Sequence, residues 1–513
     1  ILAGIAAFFA TVLFNPFHLT NLTHTFVISL SEHAKMWRTV YEWHPAFEWD
    51  NPIGDEIPFL IMYIIGWVSL IGWVLTMIFA RRLAGQRPTR KSLDSDWYRH
   101  PKFDIAIVVV ASLTVYMAIR SRRFIPIAAM AACPLLALFI DQIVKTFCAA
   151  RSFHKHNRFA VTVMSKSLKV FFVIFGAAAV TFFGTWWTLK FKMVYLSPWP
   201  NDPKLTSVFI RMTASHIKPF DACRFIRENK LKGKIFNYWT EGGFIAYGQK
   251  PGLNTGKTPL QLFMDGRAQA AYDTKTFNIW SYIMTGGPAA QNAKTRRRQL
   301  TTNDYIKIGG WTAMVLKKQN VWIALMPRGQ FNSTFVKALE TNPDWQLVFL
   351  NNKQKIFVDT TTDRGRQLFD GIFNGETIYP DQFSKNLIMG HNMFILGKTE
   401  AEKKQGMELL VKAFRSKPSP MPMDRILSCA ESPQFIPYIN GFCENYLDEF
   451  ETKKKAYVKE NGYYNRITAA MLASDYLHLI AGRQNDQEQA RLYAAKKRDY
   501  ENEQRKMFEN TVW

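Results

Sequence analysis

The chain has 513 residues, of which 48% are hydrophobic and 14% aromatic, and a formal net charge of +24. That length allows two to four domains, and five cysteines do not make a disulfide framework. No zinc-finger spacing, RNP-type aromatic signature or basic heptad region accompanies the positive charge, so nucleic acid is excluded as the expected partner and anionic lipid takes its place.

Ile1 to Phe14 is apolar but shorter than the roughly 20 residues a helix needs to cross a bilayer, so it reads as the end of a span that starts upstream. The segment that follows carries WRTVYEWHPAFEWDNP, Trp37 to Pro52, which sets Glu42, His44, Glu48 and Asp50 among five aromatic rings. Such rings form ordinary interfacial belts. Carboxylates and a histidine among them also suit the lining of a sugar site, where rings stack on sugars and carboxylates accept hydroxyl hydrogen bonds.

Four further apolar runs follow: Ile57 to Ala80, Phe103 to Ile119, Phe124 to Ile140 and Val170 to Leu189. The first and last are comfortable spans, while the middle two lie near the lower limit of ~17 residues and either cross or form a re-entrant hairpin. Basic residues crowd the connection from Arg81 to Lys102 and the one from Lys145 to Lys169, which the positive-inside rule places in the cytoplasm. The segment before Glu56, the turn at Arg120 to Arg123 and everything beyond about Lys190 are then expected outside the cytoplasm.

The turn itself reads AIRSRRF, with Arg120, Arg122 and Arg123 on the side where positive charge is normally sparse. Snorkelling to headgroups is one reading. The other is an anion site, in which Arg120 and Arg123 share a helix face if the helix continues through the turn and grip a lipid phosphate.

Beyond Lys192 no stretch approaches membrane length. Between 193 and 378 helical and strand patterns alternate: a helix over Pro219 to Asn229, strands at KIFNYW, FIAYG, LFMDG and VWIALMP, a helix from Ser333, then strands at WQLVFLNN and KIFVD. This order predicts an α/β domain. WTEGGF is read as a reversal between two strands, with Gly242 and Gly243 at positive φ. Asp265 and Arg267, just past a strand end, are candidates for a binding crevice or for an ion pair closing the turn. PGLNTGKTPLQ mimics a phosphate-binding loop but has three residues between its glycines where four are needed. Arg296 to Arg298 reads as a solvated or headgroup-facing run.

From 379 to 513 four helical patterns divided by Gly, Pro or Asn predict antiparallel pairs of the tetratricopeptide-like kind, a surface for a partner protein. One bridge between Cys429 and Cys443 is compatible with an external location. Asn21 and Asn332 begin glycosylation sequons. No metal-ligand spacing or cofactor motif stands out, so neither a metal nor a cofactor is expected.

NPFHLTNLTHTF, YEWHPAFEW, AIRSRRFIPIAAMAACPLLA, KGKIFNYWTEGGFIAYGQKP and LFMDGRAQAAY, in that order, resemble the C-terminal part of bacterial multi-pass proteins of the GT-C glycosyltransferase superfamily over roughly Asn15 to Asp359. The resemblance implies transfer of a sugar from a polyprenyl-phosphate carrier at the outer membrane face, with the arginine turn facing the phosphate and EWHPAFEW forming a cavity wall. It also implies that the acidic catalytic loop lies upstream of Ile1. A non-catalytic scaffold of an envelope assembly, docking partners through its soluble domains, is the alternative.

Overall fold

A computed structural model describes residues 9, 44–49, 56–85, 105–156, 166–193, 217–252, 255–267, 272–458, 460 and 462–509. The chain divides into two units, Ile1–Met193 and Val194–Trp513. The partial span at 1–14, apart from Phe9, lies outside the described residues, as do Glu42, Asp50 and the first sequon.

The first unit contains helices α1 (Glu56–Gly85), α2 (Ile105–Arg120), α3 (Ile125–His156) and α4 (Lys166–Phe191). Three of them hold windows long and apolar enough to cross a membrane: Ile57–Thr76, Arg122–Lys145 and Val170–Phe191. The remaining helix, α2, has 16 residues, a rise of about 24 Å against a hydrocarbon core of about 30 Å. It packs against α3, to which it is joined by the turn at Arg122–Phe124. Glycines bring α1 close to α3, for a Cβ at Gly72 would lie 3.1 Å from the Ile143 side chain. The next residue, Trp73, stacks on Phe139 at 5.2 Å between centroids and its indole N–H donates to Gln142. None of the apolar window of α4 is buried.

The second unit is built on five strands: β1 (Gly233–Asn237), β2 (Leu260–Leu262), β3 (Val321–Pro327), β4 (Trp345–Leu350) and β5 (Gln354–Asp359). Their order is β2-β1-β3-β5-β4. β2, β1 and β3 run parallel, with Lys234 beside Gln261 and Ile235 beside Ile323, whereas β5 is antiparallel to both β3 and β4. The first six residues of β3 are all buried, as expected for a strand covered on both faces. The expected helix at 219–229 is α5 (Phe220–Glu228), and the helix from Ser333 is α10 (Thr334–Glu340) with Ser333 as its N-cap.

Two expected strands differ. FIAYG is the helix α6 (Gly242–Gly248), entered through a 3-10 turn at Trp239–Glu241, so WTEGGF is not a hairpin. Gly242 has φ −55°. It is needed instead for contact: a Cβ there would lie 2.8 Å from Met264 O and 2.6 Å from the Asp265 Cβ. LFMDG is a strand only to Leu262 because the Asn237 side chain intercepts the next ladder positions, accepting from Phe263 N at 3.1 Å and donating to Met264 O at 2.8 Å.

Helices α7 (Thr274–Thr285), α8 (Gly287–Thr295) and α9 (Thr302–Lys318) fill the connection to β3. Each start is chemically marked where a cap exists. Asp273 accepts from Thr276 N at 2.8 Å, and Thr301 with Asp304 forms a capping box. Within the basic run, Arg298 forks onto Asp304 at 2.5 and 2.9 Å, while Arg296 and Arg297 are exposed.

After α11 (Asp363–Phe373) the chain is helical: α12 (Gln382–Leu396), α13 (Glu400–Ser416), α14 (Pro420–Ser428), α15 (Ile436–Tyr457), α16 (Tyr463–Arg483) and α17 (Gln487–Glu509). α12 and α13 pack as an antiparallel pair with backbones in contact at two glycines; a Cβ on Gly390 would sit 2.7 Å from Gly406 O. β4 is an edge strand with a bulge near Val348. Its spare carbonyls are taken by Tyr379 Oη, donating to Val348 O at 3.0 Å, and by Asn392 Nδ2, donating to Leu347 O at 3.0 Å, so α12 closes the sheet edge. Phe450 centres α15 to α17, stacked on Tyr463 and edge-on to Tyr500. Cys429 and Cys443 are free and buried, so the bridge between them is not formed.

Candidate functional site

The turn between α2 and α3 starts where Ser121, at φ −155° and ψ 123°, breaks the helix before a 3-10 turn over Arg122–Phe124. The helix therefore does not continue through the arginines, and the shared face expected for Arg120 and Arg123 has no helical basis.

Arg122 is 4% exposed. Its Nε donates to Pro45 O at 3.0 Å and its Nη2 to Glu48 O at 2.9 Å, while its backbone N–H donates to His44 O at 2.9 Å. Ala46 N–H in turn donates to Ile119 O at 3.2 Å. A buried guanidinium survives only with its donors satisfied. Here carbonyl dipoles of the 44–48 segment satisfy them, which folds that segment onto the hairpin tip. Ala46 is fully buried with Phe59, Ala118 and Ala128, and Phe47 packs against that cluster, stacked 5.4 Å from Phe59. His44 Nδ1 pairs with the Glu48 carboxylate one turn away. Arg120 and Arg123 are exposed at the same tip.

Below the tip, α1, α2 and α3 leave an open groove of about 410 Å³. Its lining includes Tyr63, Gly66, Trp67, Ala111, Tyr116 and Leu136, and Ile119, next to Arg120, also borders it. Phe139, its deepest residue along α3, lies about 20 Å from that helix start. The groove's lining is mainly apolar, and Arg120 and Arg123 are exposed at the tip of the same helix pair.

In the soluble unit Asp265 and Arg267 form the closing pair. Arg267 donates through Nε and Nη2 to both carboxylate oxygens, the shortest contact being 2.7 Å, and Tyr272 Oη adds a bond of 3.1 Å. Burial raises the Asp265 pKa, but the bonds and charge of Arg267 outweigh it and hold the carboxyl below its ordinary value. An aspartate held ionised in this way is unsuited to giving a proton.

Sequence reasoning passed over Glu241, in the misread WTEGGF stretch. It is 4% exposed at the end of the turn after β1, with Lys218 Nζ 3.7 Å from Oε1 and Oε2 without a hydrogen-bond partner among the described residues. Burial pushes its carboxyl up, with Lys218 only partly opposing. Such a group keeps its proton to higher pH than a surface glutamate, as a general acid must. The available signal was its place just past a parallel strand, the same reasoning applied to Asp265.

The predicted residues thus fall in two groups: His44, Glu48 and Arg120 to Arg123 in the first unit, Asp265 and Arg267 in the second. Searches of family models, curated proteins and solved structures return no match to this chain. Among the described residues no cluster of His, Cys, Asp and Glu is arranged to hold a metal ion.

Proposed function

We propose that this is a multi-pass inner-membrane protein of the glycosyltransferase-like kind, which takes a polyprenyl-phosphate-linked sugar from the outer leaflet and carries its soluble half outside the cytoplasm. The observation that supports this is the apolar groove between α1, α2 and α3, which extends as far as Ile119, the residue before Arg120. The isoprenoid chain lies in the groove and the phosphate meets Arg120 and Arg123. Arg122 acts as a positioning residue, holding the 44–48 segment over the cluster beneath it. Positive charge at that place would stabilise a departing phosphate in a sugar transfer.

A scaffold reading has its own support in the close-packed helix pair α12–α13 and in the apolar window of α4, none of which is buried. Photo-crosslinking in vesicles separates the two. A polyprenyl phosphate with a photoreactive group near the phosphate should label peptides at the α2–α3 tip. Labelling no greater there than on α4 would sink the carrier-binding reading and leave the scaffold.

A further inference from the structure

Ligands of open α/β sheets collect beyond the carboxyl ends of parallel strands. Beyond the end of β3, beside the β4–β5 hairpin, a pocket of about 360 Å³ is roofed by α14 and α16. Its charged lining is Arg328, which follows β3, Lys355, which pairs across from Met326 at the end of β3, and Arg425 and Asp424 of α14. Asn332, Asn352 and Asn465 add side-chain amides.

Positive charge exceeds its local compensation. Glu340 Oε1 serves two cations at once, Lys355 Nζ at 2.7 Å and Arg425 Nη2 at 3.4 Å. Lys355 is 6% exposed and also lies 4.5 Å over the Phe331 ring. Arg425 keeps a buried Nε–H without an acceptor, and Arg328 has no side-chain ion pair among the described residues. A buried donor left unpaired costs about 1–3 kcal/mol, so the site is incomplete as it stands. The neighbouring His391 registers the same field: burial, then Arg425 and Lys355, push its pKa down to about 3.

We infer that this pocket binds a small hydroxylated anion, a sugar phosphate or a sugar acid, with Arg328 and Arg425 on the anionic group and the three asparagine amides on hydroxyls. The volume suits one monosaccharide rather than a polymer. This site does not depend on the carrier groove of the first unit.

Calorimetric titration of the full chain in nanodiscs tests it with glucose 1-phosphate, glucuronate, inorganic phosphate and neutral glucose as probes. One or both sugar anions should bind saturably, with phosphate and glucose at least about tenfold weaker. Arg328→Gln should weaken the sugar anion about tenfold and leave the thermal midpoint of the free protein unchanged, since its side chain is exposed. Glu340→Gln should tighten binding, because it releases both cations it now holds. Preference for the phosphate or the carboxylate probe identifies the anionic group. The inference is overturned if no probe saturates, if inorganic phosphate binds as well as the sugar anions, or if both variants titrate like the parent protein.

Discussion

Nη2 of Arg122 donates to the carbonyl oxygen of Glu48 at 2.9 Å, joining positions 74 apart in sequence. With the bond from Nε to Pro45 O, it makes one of the three arginines a clamp rather than a ligand-facing charge. Charged hydrogen bonds of this kind contribute about 1.5–3 kcal/mol each when buried. Arg122→Ala should therefore lower the thermal midpoint in detergent clearly and expose a cysteine placed at Phe47 to a water-soluble maleimide. Arg120→Ala and Arg123→Ala should do neither. Equal midpoints for all three variants would contradict the clamp.

The glycines of α12 and α13 make a sharper stability test. A Cβ at Gly406 would lie 2.7 Å from Phe394 N and 2.8 Å from Gly390 O, both backbone atoms. Helix propensity favours alanine over glycine by about 1 kcal/mol, but forced separation of two backbones costs about 1–3 kcal/mol. Gly406→Ala should be net destabilising, whereas Gly441→Ala, in α15 with open space around its Cβ, should stabilise slightly. Urea unfolding of the two variants checks the opposite signs.

His391 makes stability depend on pH. Its folded pKa of about 3 lies below the ordinary 6.5, so the unfolded chain takes up the proton first. Its contribution is complete above pH 6.5 and is lost as pH falls from there towards 3, with a slope of at most about 1.4 kcal/mol per unit. His391→Gln should reduce the fall in thermal midpoint between neutral and acidic buffer. An undiminished fall would assign the acid sensitivity to the carboxylates instead.

Legibility in the sequence followed the range of the forces. Long apolar runs, the helix start at Ser333 and the extent of β3 are local patterns and were read correctly, while β4 ends at Leu350, two residues before the expected end, and β5 begins at Gln354, one residue before the expected start. FIAYG was not read correctly, since five apolar residues suit a buried strand or a short helix equally, and what decides is the approach of Gly242 to Asp265 from a distant strand end. The early stop of β2 depends on the Asn237 amide and the burial of Arg122 on carbonyls over 70 residues away. Neither partner is marked by spacing. The Asp265–Arg267 pair was legible because its members are two positions apart.

The central claim is that the α1–α2–α3 groove holds the chain of a phosphorylated isoprenoid. Ser112 is exposed and lines that groove, so Ser112→Trp fills it without disturbing the packed cluster at the tip. Native mass spectrometry of nanodisc-released protein should show one polyprenyl phosphate bound to the parent chain, lost in Ser112→Trp and weakened about tenfold when Arg120 and Arg123 are both changed to Gln. Equal adduct on all three proteins, or none on the parent, would contradict the account.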